Sequence, residues 1–216
     1  MRRLPVLLVP LVAFAAGAPL SAPPAPPDPL ALGKIFATSA KAEKNKDYAA
    51  AISAMKSYQQ RGGDPFIATL RLGWLLYQAG QFADAAQAYH QAAVLNPSSL
   101  NALLGSLNAA QAMLDIRNTA RAADAVLRVE PNNYRALMAL GGLHSAQKGY
   151  DKASVDYSRV LVNYPDDPDA LSGAAWSSLR AGDPATAHSK FTILLEINPD
   201  YPQAREGYDL SARHDR

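Results

Sequence analysis

Histidines are the side chains best suited to proton transfer or metal ligation near neutral pH, and the chain has four: His90, His144, His188 and His214. They share neither a repeat column nor a metal-ligand spacing, so each reads as a solvated or packing imidazole. The absence of cysteine removes disulfides, thiolate nucleophiles and Cys-ligated zinc or iron–sulfur sites. Gly141-Gly142 is not followed by the Lys-Ser/Thr of a phosphate loop. Asp166, Asp167 and Asp169, beside Pro165 and Pro168, suit helix capping better than metal binding. No enzymatic activity, no metal and no cofactor are expected. The chemistry on offer is contact chemistry, centred on Ile67, Leu70, Trp74 and Tyr77.

Those four residues recur at helical spacing, and the same segment carries a second stripe of Thr69, Leu72, Gly73 and Leu76. The stripes are centred roughly 120° apart, taking about 100° per residue. One helix pair cannot readily bury two broad apolar faces, so the Trp74 stripe must meet a neighbouring unit or a ligand.

The elements that position these stripes repeat every 34 residues. Pro97, Pro131, Pro165 and Pro199 keep this step, as do Tyr48, Phe82, Ile116, Tyr150 and Pro184. Two more columns share the phase: Ala51, Ala85, Thr119, Ala153 and Ala187, then Met55, Tyr89, Ala123, Tyr157 and Phe191. Within each unit one helical pattern is broken by a turn, such as Gly80-Gln81, and a second follows. The second pattern stops before the proline, because the residue preceding proline is pushed out of the α region. Ser98 and Ser99, Asn132 and Asn133, Asp166 and Asp167, and Asp200 are placed to cap the helices that follow.

These residues resemble the tetratricopeptide repeat, whose pattern is carried here by Leu72-Gly73, Gly80, Phe82, Ala85, Tyr89, Ala92 and Pro97. The units from Tyr134 and Pro168 match through Leu140-Gly141, Tyr150, Ala153, Tyr157 and Pro165, and through Gly182, Ala187, Phe191 and Pro199. The resemblance implies an all-α, right-handed α-solenoid of about five helix pairs over 32–65, 66–99, 100–133, 134–167 and 168–201, with a capping helix over 202–212. Two units depart from the pattern. Leu100–Asn133 has Ser106-Leu107, Thr119 and Ala123 where the others have Leu-Gly, Ala and an aromatic, which predicts looser packing. Leu32–Pro65 ends in Arg61-Gly62-Gly63-Asp64-Pro65 with its proline displaced by two.

In the family, the face that carries Trp74 looks like the one lining a concave groove that receives a peptide. The matching residues make this groove apolar at one end (Ile67, Leu70, Trp74, Tyr77), amide-rich in the middle (Leu104, Asn108, Gln111, with Arg135 and Met138 beyond) and aromatic again at Trp176. Aromatic anchors and amides suit a peptide segment of another protein. A clamp for a partner's terminal carboxylate, as in some family members, would fall on Leu70, Trp74, Gly105, Arg135 and Ala139, which keeps only Arg135. Two alternatives stay open: rings at Trp74, Tyr77 and Trp176 that stack on sugars, and an apolar seam between copies in a homo-oligomer.

Charge and leader bound the setting. Lys plus Arg number 21 against 19 Asp plus Glu, and without Arg2 and Arg3 the balance is 19 to 19. A neutral chain gives nucleic acid little purchase. Residues 1–18 read as a signal peptide, with Arg2 and Arg3 before an apolar run broken by Pro5 and Pro10. That run is shorter than the ~20 residues of a bilayer span, so no stable membrane span is expected after leader removal. Residues 19–31 form a Pro-rich linker. The expected compartment is periplasmic or secreted, with an inner-membrane anchor as the alternative, and the expected role is a scaffold for cell-envelope assembly or secretion.

Overall fold

The computed structural model of the protein describes residues 26–214. The leader and most of the expected linker lie outside the described residues. Within them the chain forms α1 (Pro29–Lys44), α2 (Tyr48–Gln60), α3 (Pro65–Gln78), α4 (Phe82–Leu95), α5 (Leu100–Ala112), α6 (Ile116–Val129), α7 (Tyr134–Ala146), α8 (Tyr150–Asn163), α9 (Pro168–Ala181), α10 (Pro184–Ile197) and α11 (Ala204–His214), and no strand. Five helical hairpins thus stack in chain order into an all-α solenoid, and α11 packs on the last of them.

Local chemistry sets these bounds. Asp28, Asp47, Asp64, Ser99, Asp115, Asn133, Asp167 and Asp183 each accept a hydrogen bond from a backbone N–H in the first turn of the helix that follows. Such a cap contributes about 1 kcal/mol. Between hairpins the break falls at Asn96, Glu130, Tyr164 and Asn198, each before a proline and each out of the helical region, with φ of −139°, −131°, −131° and −145°. Within every hairpin the turn residue at the same repeat position is left-handed: Lys46, Gly80, Leu114, Lys148 and Gly182, with φ of 59°, 75°, 54°, 61° and 88°. The next N–H folds back onto the helix just ended, as from Asp115 to the Ala110 carbonyl at 3.0 Å.

Three boundaries differ from expectation. α1 starts at Pro29, three residues before Leu32, because Asp28 caps it and a proline at the first helical position forfeits no hydrogen bond. Asp200 caps nothing: the Tyr201 hydroxyl bonds the Asp169 carboxylate at 2.7 Å, and the chain turns once more before α11 begins at Ala204. α11 runs on to His214 rather than stopping at 212.

Packing follows one rule. The aromatic on the second helix of a hairpin presses into the backbone of first helices on both sides. A Cβ added to Gly73, in the same unit as Tyr89, would lie 2.8 Å from that ring, and one added to Gly105, in the next unit, 2.3 Å from it. Tyr157 is seated likewise between Gly141 (2.8 Å) and Gly173 (2.6 Å), and Phe191 presses on Gly207 of α11 at 2.1 Å. Gly105, Gly173 and Gly207 all occupy one repeat position, so α11 continues the phase of the array. Where the aromatic is replaced by Ala123, the partner position holds Leu107, fully buried in the same cluster, so a leucine from the first helix fills the space of the missing ring. The small residue of one helix is thus offset by the large one of the other, yet α5 and α6 lie less closely against each other than the two helices of any other hairpin, as the departure from the pattern predicts.

First helices of successive hairpins also touch directly, α3 with α5, α7 with α9 and α9 with α11, whereas second helices are not packed on one another to that extent. The stack therefore curves with the first helices on its inner side and leaves gaps between second helices outside.

The ring-on-glycine contact makes two opposed expectations. Gly105→Ala drives a methyl into the Tyr89 ring and lowers the urea unfolding free energy by roughly 1–3 kcal/mol. Gly33→Ala in α1, where nothing lies within 4 Å, raises it by about 0.5–1 kcal/mol through helix propensity alone. Equal effects at the two sites would refute the packing rule.

Burial, helped slightly by neighbouring Tyr77, pushes the Tyr89 phenol from 10.0 up to about 12, and burial followed by the hydrogen bond to Asp167 pushes Tyr134 to about 12. The folded state thus holds the neutral phenol more strongly than the unfolded chain does. This contribution is complete below the unfolded value near 10.0 and is lost as pH rises through about 12. Unfolding free energy measured from pH 9 upward falls across that window, and Tyr89→Phe removes part of the fall; a flat profile would contradict the assignment.

Candidate functional site

The inner side carries a cleft of about 450 Å³ built on α3 and α5, closed at one end by α1 and at the other by α7. Each helix contributes through the face not used for stacking. In α3 the core takes Ala68, Thr69, Leu72, Gly73, Leu75 and Leu76, which leaves Ile67, Leu70, Trp74 and Tyr77 toward the cleft. In α5 the core takes Ala102, Leu103, Leu107 and Ala109, leaving Asn101, Leu104 and Asn108.

Trp74 is 42% exposed and Ile67 44%, although both are large and apolar. The indole is fixed rather than covered: its Nε1 donates to Glu43 Oε1 at 2.6 Å, and the same carboxylate pairs with the Arg71 guanidinium. Arg71 in turn lies over the Phe36 ring, 5.8 Å from its centroid. Tyr77 is half-buried and packs its ring against Phe82 at 5.3 Å. At the opposite end Arg135 donates to Asn108 Oδ1 at 2.6 Å, its only hydrogen bond among the described residues, and takes part in no ion pair there. The cleft therefore offers an exposed indole, a bank of aliphatic side chains, and an amide and guanidinium edge with unused donors.

Seven of the ten sequence-derived groove residues meet here: Ile67, Leu70, Trp74, Tyr77, Leu104, Asn108 and Arg135. The other three do not. Gln111 is exposed and does not line the cleft. Met138 is packed between the clusters around Leu137 and Tyr157. Trp176 sits edge-on to Phe191 at 5.2 Å with Arg180 over its face at 5.4 Å, as part of the C-terminal core. The repeat phase places Trp176 in the column of Trp74. The position of Phe191 is aromatic in the unit of Trp74 as well, but there the Tyr89 ring is seated against Gly73 and Gly105.

Sequence reasoning missed Glu43, Arg71 and Tyr89. Glu43 follows Phe36 and Ala40 at i, i+4 and i+7 in α1, so helical spacing puts the three on one face. Two of the histidines are occupied elsewhere: His144 Nδ1 pairs with Asp156 Oδ2 at 2.7 Å, and His188 Nδ1 meets Ser211 Oγ at 3.2 Å. No group of three or more His, Asp or Glu able to hold a metal occurs among the described residues, and no described helix is long and apolar enough to cross a membrane.

Comparison with known proteins agrees with this architecture. Two family profiles described as tetratricopeptide repeat match residues 68–99 and 104–168. The human protein O-mannosyl-transferase TMTC1 is 26% identical over 137 residues, which is 62% of this chain but 16% of that protein. The solved structure of MamA superposes with a TM-score of 0.70 at 19% identity, covering 81% of this chain and 94% of that one. A tetratricopeptide repeat protein from Parabacteroides merdae gives 0.71 at 18% identity, covering 86% and 77%. YrrB, described as a TPR protein with an unusual peptide-binding site, gives 0.68 at 11% identity, covering 81% and 90%. With the 34-residue phase, the hairpin stack and the ring-on-glycine seams already in place, these matches identify residues 68–99 and 104–168 as tetratricopeptide repeats.

Proposed function

We propose that the protein is a non-enzymatic scaffold that holds a segment of another protein in the inner cleft. The observation that carries this reading is Trp74: a large apolar ring left 42% exposed while its only polar atom is tied to Glu43. An indole held in one orientation loses little freedom on binding, the condition under which aromatic anchors contribute most. A bulky apolar side chain of the guest packs between Trp74, Leu70 and Leu104. Its backbone carbonyls or a carboxylate accept from Arg135 and Asn101. The cleft holds a few residues of a peptide, consistent with a guest that crosses the units from α3 to α7.

The mannosyl-transferase name is not carried over, because the chain spans 16% of that protein. Sugar stacking finds less support than peptide binding, because Trp176 lies in the C-terminal core away from Trp74, and of the rings that line the cleft only Trp74 is exposed, Phe36 and Tyr77 being half-buried and Tyr89 buried. The leader motif in residues 1–18 supports export, and with it service in the cell envelope.

The test is intrinsic Trp fluorescence and calorimetry of the full chain against a library of short peptides carrying Leu, Phe or Trp. Trp74→Ala weakens binding about tenfold or more, and Arg135→Ala weakens carboxylate-bearing peptides by about a further fivefold. Helical circular dichroism stays unchanged in both variants, since neither side chain belongs to the core. Oligosaccharide binding in place of peptide binding would overturn the proposal. For the compartment, fractionation with N-terminal sequencing is decisive: an intact Met1 in the cytosolic fraction would refute export.

A further inference from the structure

A second cleft lies on the outer side of the same units. It measures about 650 Å³ and runs between α4 and α6, which face each other across α5 without packing tightly. Its origin is α6. In register with Lys190 and Ile193 of α10, this helix carries Ala122 and Ala125, so the wall between the two second helices is low. Ala93, Ala110, Ala122 and Ala125 form the floor, and Val94, 66% exposed, and Val129, 42% exposed, stand at its edges.

The polar lining is one-sided. Arg121 and Arg128 border the cleft with His90, no carboxylate lines it, and neither arginine takes part in an ion pair among the described residues. Arg117, Arg121 and Arg128 fall on one face of α6, with Asp124 as the single acid between them on that helix, exposed and outside the lining. Asp115, which caps α6, is held below the usual carboxylate range by the Asn118 N–H; its charge at the helix start is used there.

The cleft continues into a second depression that shares Asn118 and Arg121, is bordered by the capping carboxylate of Asp115 and by Arg117, and reaches Ile116, 58% exposed, and Leu114. Leu114 is the most exposed large apolar residue described, at 87%, and it occupies the left-handed turn position with φ of 54°, where the corresponding residues are Gly or Lys. A bare leucine in a conformation that favours glycine is unfavourable on both counts in the isolated chain.

From this combination we infer that the outer cleft docks an acidic amphipathic helix of another protein. Helices approach closely over small residues, and α4 and α6, at 14 residues each, give a track of about 21 Å, enough for roughly four turns of a guest. The guest's apolar stripe meets the alanine floor, the two valines and Leu114, while its Asp or Glu side chains meet Arg121 and Arg128. The chain's own N-terminal segment does not fit, since residues 1–25 contain no Asp or Glu and carry Arg2 and Arg3. A flat lipid surface would leave a recessed floor between two helices unfilled. This surface is separate from the inner cleft, so the protein can bridge two partners, one on each side of α5.

The experiment uses the full chain and a fluorescein-labelled peptide of about 16 residues, built from Leu, Ala and Glu with Leu on one helical face. A Lys-for-Glu counterpart serves as control. Anisotropy should show binding of the acidic peptide only, weakened about tenfold in the double variant R121E/R128E and several-fold between about 0.05 and 0.3 M NaCl, as expected for rim charges. Leu114→Gly gives a paired readout of opposite sign: binding weakens while thermal stability rises, because glycine suits the turn. In a Trp74→Ala background the loss caused by R121E/R128E and by salt persists in full, which separates this site from the inner cleft. The inference is overturned if the acidic peptide does not bind, if the Lys peptide binds equally, or if R121E/R128E has no effect on a chain whose circular dichroism is intact. It is equally overturned if the arginines prove to hold anionic phosphatidylglycerol vesicles instead, or to support a concentration-dependent dimer in sedimentation.

Discussion

The contact on which the structure depends is an aromatic ring pressed against bare backbone. Tyr89, Tyr157 and Phe191 lie where a methyl group on the facing glycine would come within 2.1 to 2.8 Å of ring carbon. Only the absence of a Cβ lets the helices close to this distance. The ring on a second helix touches the first helix of its own hairpin and that of the next, so one side chain ties three helices together. In a linear array, where each unit meets only its neighbours, such seams carry the cooperativity of the whole chain.

The same contact sets the curvature. Because each ring draws consecutive first helices together, these approach one another and form the inner side, while second helices are held apart by the first helix between them. Inside, the side chains not used in the seams converge on one cleft; outside, the spacing between second helices becomes a trough wherever residues are small. Both clefts thus follow from a single packing rule, and their positions differ because side chains on the two kinds of helix differ.

The Leu100–Asn133 unit shows how far that rule can bend. Ala123 replaces the ring and Leu107 replaces the small partner, which keeps the interior filled. The exchange moves bulk from the second helix to the first, and together with Ala122 and Ala125 it lowers the outer surface of α6. The exchange keeps both side chains buried while α5 and α6 pack less closely than other hairpins, and it changes the surface as well. On the inner side, the unit supplies Asn101, Leu104 and Asn108, flanked by Trp74 on one side and Arg135 on the other.

Much of this was legible before any coordinates. The 34-residue phase, the prolines after each hairpin, the caps Ser99, Asn133 and Asp167 that follow those prolines and the two stripes of α3 are local properties, fixed by backbone sterics and helical periodicity over a few residues. They determined the helix count, the order of the hairpins and the face on which Ile67, Leu70, Trp74 and Tyr77 lie. Which stripe residues meet was settled only by contacts between units. Trp176 shares the column of Trp74 yet packs edge-on to Phe191 in the core, whereas the Tyr89 ring of the Trp74 unit is taken up by Gly73 and Gly105 and the Trp74 indole is tied to Glu43 and stays partly exposed. Periodicity assigns a residue to a face; burial depends on the volumes of side chains 15 to 34 positions away, and these are summed only when the helices are stacked.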